Sequence, residues 1–149
     1  MKKLKVKKLS EKATLPTRSY PNDAGLDLYS SQDLFIPVGM TAKISTDIAV
    51  NIDPGYYAQV SDRSGCAVKG LTVGAGVIDA GYNGHMCVVI HNINNRTSND
   101  AMFRYGYIVR KGDRIAQLLV HKIELPEVEE VTEFEESARG TSGFNSTGR

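Results

Sequence analysis

VGAGVIDAGYNGHMCVVI, residues 73–90, decides the fold class. Apolar runs lie on either side of a cluster of glycine and asparagine, so the stretch reads as two apolar strands joined by a reversal around Ala80 to Gly84. That reading puts Asp79 and Tyr82 at the tip of a hairpin. A carboxylate entering a turn ordinarily bonds its own backbone. Asp79 also follows the apolar-flanked run ending in Ile78, and a partly buried carboxylate next to an anion site would be a candidate general base for activating water.

The same pattern extends outward in both directions. Leu4 and Val6 alternate with lysines, and Leu34 to Pro37, Ala42 to Val50, Tyr56 to Val60, Met86 to Ile90 and Ile115 to His121 read as strands. Turn combinations at Pro21 to Gly25, Pro37 to Gly39, Asp53 to Gly55, Asn83 to Gly84 and Lys111 to Gly112 separate them. Many short strands with regular turns and no amphipathic helix of three turns give an all-β domain: a sandwich, a barrel or a jelly roll. The lysines of MKKLKVKK suit an edge strand, where they discourage pairing with other chains.

Bulk composition narrows the function by exclusion. With 149 residues the chain suits one domain with one core. Lys plus Arg (18) nearly balance Asp plus Glu (17), so charge calls for neither nucleic acid nor a membrane surface. Cys66 and Cys87, the two cysteines, have neither disulfide-framework nor zinc spacing. No apolar stretch approaches a membrane span or follows the N-terminal lysines as in a signal peptide, so a soluble intracellular chain is expected.

Three further segments could carry chemistry. DRSGCAVKG (62–70) has the form of one short helical turn, with Ser64 suited to N-cap and Gly70 to C′. Free N–H groups at its start, the Ser64 hydroxyl and the adjacent Arg63 could together hold phosphate oxygens; the same pattern also fits an ordinary Ser-Gly turn. In GDRIAQLL (112–119) strict alternation makes Arg114 and Gln117 face opposite ways, each open to a structural role within its own sheet. The acidic run ELPEVEEVTEFEES (124–137) leads into RGTSGFNSTGR (139–149), which has only Phe144 to bury. By composition that tail is either a frayed end or an arm that orders on a ligand, with glycine and hydroxyl donors for phosphates, Arg139 as a cation and Phe144 to stack on a base. His85, His91 and His121 lack ligand spacing and read as structural or surface residues.

Taken in order, AGLDLYS (24–30), DRSGCAVKG, GVIDAGYNG (76–84), GDRIAQLL and RGTSGFNSTG (139–148) closely resemble the five signature motifs of the trimeric deoxyuridine triphosphatase family. The resemblance spans nearly the whole chain. It implies a jelly-roll or distorted β-barrel subunit with one short helical turn, residues 1–138, forming a homotrimer whose shared sites are closed by a flexible arm, residues 139–149. It further implies hydrolysis of dUTP to dUMP and pyrophosphate with Mg²⁺, supplying dUMP for dTMP synthesis and keeping uracil out of DNA. By this resemblance Asp79 is the base acting on the water that attacks the α-phosphorus. Asp27 holds the Mg²⁺ indirectly, through its water shell. Arg63, Ser64, Gly65 and Gln117 resemble the phosphate-binding residues, Arg139 and Phe144 those of the arm. Gly76 and Cys87 stand where backbone groups would read uracil, and Tyr82 where a side chain packs on the deoxyribose.

Four positions depart from the pattern: Gly81, where a polar or acidic residue is more usual, Asn83, where a larger polar or basic one is, and Ser142 and Asn145, where glycine is. The nearest rival is a deaminase of dCTP, which shares the fold but uses a catalytic glutamate near the place of Asp79. A non-catalytic interaction protein is the other rival. It would not need Asp27, Ser64, Asp79, Tyr82, Gln117, Arg139 and Phe144 together.

Overall fold

The computed structural model describes residues 3–95, 105–138 and 140. Among the described residues, strands and a short helix follow in the order β1 (Lys5–Lys8), β2 (Leu26–Tyr29), β3 (Leu34–Pro37), β4 (Thr41–Asn51), β5 (Tyr56–Ser61), α1 (Ser64–Ala67), β6 (Leu71–Gly74), β7 (Val77–Ile78), β8 (Met86–Asn92), β9 (Gly106–Val109) and β10 (Arg114–Lys122). They form two antiparallel four-stranded sheets, β1-β4-β8-β6 and β2-β10-β5-β7, and a two-stranded ribbon, β3-β9. The fold is an all-β jelly roll. No described helix is long and apolar enough to cross a membrane.

Alternation explains why these strands pack. Along β8 buried and half-buried residues alternate without a break, aiming Met86, Val88 and Ile90 inward. Ile44, Ile48 and Val50 of β4 meet Leu28 of β2, Ala58 and Val60 of β5, and Leu118 of β10 in one apolar cluster. Each fully buried isoleucine or leucine there contributes ~1.5–3 kcal/mol. Lysine-rich β1 is an edge strand paired only with β4, as its sequence anticipates.

Two interruptions set the geometry of the rest. On β4 the register jumps from Ser45 opposite Cys87 to Ile48 opposite Met86. The looped-out Thr46 and Asp47 are an even number, so inward and outward faces are preserved beyond them. On β10 the register passes from Arg114 opposite Tyr29 to Ala116 opposite Leu28, an odd slip of one residue. That slip overturns the expected opposition of Arg114 and Gln117, because one extra residue rotates Arg114 onto the face of Gln117.

The stretch 73–90 also differs from a simple hairpin. β6 pairs with β8, but the chain leaves that sheet at Ala75 and Gly76 (φ 58° and 108°), and β7 pairs with β5 in the other sheet. A side chain at Gly76 would bring its Cβ within 2.7 Å of the Val60 carbonyl oxygen, so only glycine allows this crossing. The reversal at 79–85 therefore returns the chain from one sheet to the other. β2, β6, β7 and β9 were not anticipated as separate strands; each is short and holds too few residues for a clear alternation.

Candidate active site

One cavity, of about 380 Å³, opens where β2, β10 and the start of α1 meet. Its floor is Asp27, opposite Gln117 in the β2–β10 register. The buried Asp27 carboxylate accepts from Arg63 Nε at 2.7 Å and from Arg114 Nη1 at 3.2 Å. A carboxylate taken from water needs such partners, and the two guanidiniums balance Asp27 and the Asp23 carboxylate on the cavity wall, so what the cavity offers an anion is N–H and O–H donors rather than net charge. Gln117 Nε2 donates to the Asp62 carbonyl at 2.7 Å, which fixes the carboxamide across Gly25. A Cβ at Gly25 would lie 2.1 Å from Gln117 Oε1, which accounts for glycine at that position.

Arg63 has extended backbone (φ −89°, ψ 137°) and is itself the N-cap of α1, without a side-chain capping bond. Ser64 is thus the first helical residue rather than the cap expected of it; its exposed hydroxyl lines the cavity and does not bond the turn. Gly70 has φ 69° two residues past the C-cap Val68, one position later than C′. Beneath the turn, burial pushes the Cys66 thiol pKa up, so it is a packing group.

A second cavity, of about 340 Å³, is lined by Lys43, Val77, Asp79, Tyr82, His85 and Cys87. Its rim is the 79–85 loop. Tyr82 N–H donates to the Asp79 carbonyl at 3.2 Å, closing the turn, and Tyr82 Oη donates to the His85 carbonyl at 3.1 Å. The Tyr82 ring lies over Gly84, where a Cβ would come within 2.7 Å of it. Asp79 is exposed, not partly buried as expected. Gly76 O already accepts Val60 N–H at 2.7 Å, so a base would meet the Gly76 N–H or the second lone pair of the carbonyl. Burial raises the pKa of the Cys87 thiol, with Lys43 opposing and Asp47 adding to the shift.

The structure thus brings Asp27, Arg63, Ser64 and Gln117 together, and separately Asp79, Tyr82 and Cys87; no residue lines both cavities. Arg139 and Phe144, with Ser142 and Asn145, lie outside the described residues. Arg114, Asp62, Lys43 and His85 are site residues that strand alternation did not single out. The slip on β10 places Arg114, and the return of the chain from Gly76 brings His85 to the looped-out residues of β4.

Among the described residues no three His, Cys, Asp or Glu side chains converge as a metal cage. The first cavity offers one buried carboxylate, Asp27. A donor set that small fits a Mg²⁺ that arrives on phosphate oxygens and is met through water.

The model of the dUTPase family matches residues 11–148. The chain belongs to the dUTPase family. It is 48% identical over 145 residues to the deoxyuridine 5'-triphosphate nucleotidohydrolase of Arabidopsis thaliana, spanning 97% of this chain and 82% of that one. The dUTPase of Staphylococcus bacteriophage 80alpha, solved with dUPNHPP, superposes with a TM-score of 0.90 at 35% identity over 100% of both chains. The D95N dUTPase of phage phi11 of S. aureus, solved with a structural Mg(II) ion, gives 0.80 at 33% identity over 90% of this chain and 99% of that one. Four of the five motifs have a structural counterpart among the described residues: the first, second and fourth build the first cavity, and the third builds the second.

Proposed function

We propose that this chain, a dUTP diphosphatase by family, hydrolyses dUTP to dUMP and pyrophosphate in sites shared between the subunits of a homotrimer. The observation that carries the reading is the division of the site residues between two separate cavities. The first cavity, with guanidinium, hydroxyl and carboxamide donors, suits a triphosphate and the loop cavity a nucleoside, but Asp79 is not beside the groups that would hold the phosphates. Setting the first cavity of one subunit against the second cavity of another supplies what each lacks.

In that arrangement Arg63, the Ser64 hydroxyl, the Gly65 N–H and Gln117 hold the phosphate chain. Asp79 orients a water and takes its proton as the oxygen attacks the α-phosphorus; the bond from that phosphorus to the bridging oxygen breaks and pyrophosphate leaves. Mg²⁺ bound to the phosphates would offset the charge that builds on the leaving group. Asp27 would hold that ion through its water shell. Backbone groups at Gly76 and Cys87 pair with uracil, and a cytosine would leave them unpaired at ~1–3 kcal/mol each. Tyr82 packs on the deoxyribose, where a ribose hydroxyl has no room. Residues 139–149 form an arm in which Arg139 reaches the γ-phosphate and Phe144 covers the uracil, excluding water from the closed site. The product dUMP is the precursor for dTMP, and removal of dUTP keeps uracil out of DNA, which places the chain inside the cell.

Pyrophosphate release, measured separately with dUTP, dCTP, dTTP and UTP in the presence of Mg²⁺, tests the reading. Release from dUTP alone is the expected result. Ammonia from dCTP, or equal turnover of dUTP and UTP, would overturn it.

A further inference from the structure

The 79–85 loop is not held by its own turn alone. Asn51 Nδ2 on β4 donates to Asn83 Oδ1 at 3.0 Å, and at the other end of the loop His85 is fixed to the looped-out residues of β4. The Asp47 backbone N–H donates to His85 Nε2 at 3.1 Å, and Ser45 Oγ lies 2.9 Å from the same nitrogen. Asp47 Oδ1 stands 3.5 Å from that nitrogen as well, so the backbone N–H, a hydroxyl and the carboxylate of one short segment converge on it.

Asp47 is unusual in its own right. It is a non-glycine residue at φ 52°, a conformation most side chains avoid. Three contacts keep it there. Ser10 Oγ donates to Oδ2 at 2.5 Å, Ser45 Oγ donates to Oδ1, and the Asp47 carbonyl accepts Leu9 N–H at 2.8 Å. The left-handed backbone turns the Asp47 N–H out of the β4–β8 ladder and towards His85. Thr46, the other looped-out residue, donates from Oγ1 to the Met86 carbonyl, so the start of β8 is held from the same place.

We propose that His85 is a positioning residue for nucleoside selection, acting through Tyr82. His85 contributes the carbonyl that receives the Tyr82 hydroxyl, and its ring anchors that carbonyl to the Asp47 N–H. The lever is short: ring, backbone and phenol form one chain from β4 to the wall of the nucleoside cavity. A tyrosine that discriminates a missing from a present ribose hydroxyl must be held to within a fraction of an ångström. The inference rests on the proposed roles of Asp79 and Tyr82, so variants of those two are assayed beside it.

The test replaces His85 in three ways. His85→Leu keeps the bulk without an acceptor. His85→Asn keeps a polar group that ends short of the Asp47 N–H, and carries the test if the leucine variant fails to fold. His85→Gln extends an amide oxygen to the place of Nε2. Loss of one such bond should lower the preference for dUTP over UTP about fivefold in the Leu and Asn variants, through KM more than kcat, and His85→Gln should restore it. Asp79→Asn losing turnover and Tyr82→Ala losing sugar preference, with all three His85 variants keeping wild-type preference, would overturn the positioning role alone. Asp79→Asn and Tyr82→Ala both behaving as wild type would overturn the underlying site reading and this inference with it. Preference lost equally in the Leu, Asn and Gln variants would also count against it, since no accepting atom would then be required.

Discussion

The two cavities are built on different principles. Around Asp27 the groups are cross-linked between β2, β10 and the turn that enters α1: two guanidiniums meet one buried carboxylate, and Gln117 is clamped to the Asp62 carbonyl. Around Asp79 the reactive side chain is exposed on a loop, held only through neighbours such as Asn83 and His85. The first can be rigid before any ligand arrives because ion pairs and strand pairing fix it. The second places a carboxylate in solvent, so water is excluded from it only by what closes over it. In the proposed trimer the cross-linked half of one subunit would meet the open half of another across the subunit boundary.

The largest effect that would break this contrast is at Asp79. Asp79→Asn should lower kcat by at least ~100-fold while dUTP binding, followed by calorimetry, stays near wild type, since the amide keeps size and a hydrogen bond but accepts no proton. Turnover above about a tenth of wild type would remove Asp79 from the role of base. Next in size, truncation after Ala138 should reduce turnover at least ~10-fold with the melting temperature and trimer mass unchanged, because residues 139–149 add one large apolar side chain and act by closure. A truncated chain that turns over dUTP at the full rate would make the tail a frayed end.

A mixing experiment sharpens the contrast directly. Asp79→Asn damages one half-site and Arg63→Ala the other. If the two halves of a working site come from different chains, refolding equal amounts together leaves about a quarter of the sites with both halves intact, because each half is supplied independently at even odds. The mixture should then recover roughly that fraction of wild-type activity, well above either parent. Activity no higher than the average of the parents would place both halves on one chain.

How much of this was legible in the sequence depends on where strand parity holds. Leu34 to Pro37 matches β3 residue for residue, and β4, β5, β8 and β10 differ from their expected bounds by one or two residues, because long alternating runs admit one inward face. Arg114 was misplaced because a one-residue slip leaves no mark in composition. Residues 73–90 looked like one hairpin because Ala75 and Gly76 carry the chain between sheets in two residues, and apolar content is the same on both sides of the crossing. His85, read as a structural or surface residue, gave no sign of its link to β4 for a related reason. Its partner is a backbone N–H, and no side-chain spacing announces a backbone donor. The local chemistry of Asp27, Arg63, Ser64 and Gln117 was legible as residue types, and their convergence came from the register of β2, β10 and β5.

The smallest expected effect lies in the β4 segment that carries the loop, and pH gives it a sign. Hydrogen bonds from Ser10, then Ser45, hold the Asp47 carboxyl pKa below its usual range, outweighing the opposing effect of burial. A depressed folded-state value means that the folded chain holds the proton less tightly than the unfolded one. The stabilisation is therefore fully present above the unfolded value of about 3.9, and is lost as pH falls through the lower folded value. Asp47→Asn keeps the side-chain shape and tolerates φ > 0, so it removes the charge while leaving the N–H that His85 accepts. The Asp47 side chain is 22% exposed, so solvent screens the interaction and the effect stays small. Thermal melts should show the variant below wild type by no more than about 4 °C at pH 6. The gap should close as both proteins are taken to pH values below the folded carboxyl's titration. A gap that persists undiminished in acid would mean that Asp47 stabilises through packing rather than charge, and that the loop is anchored to a bulge whose shape does not depend on Ser10 and Ser45.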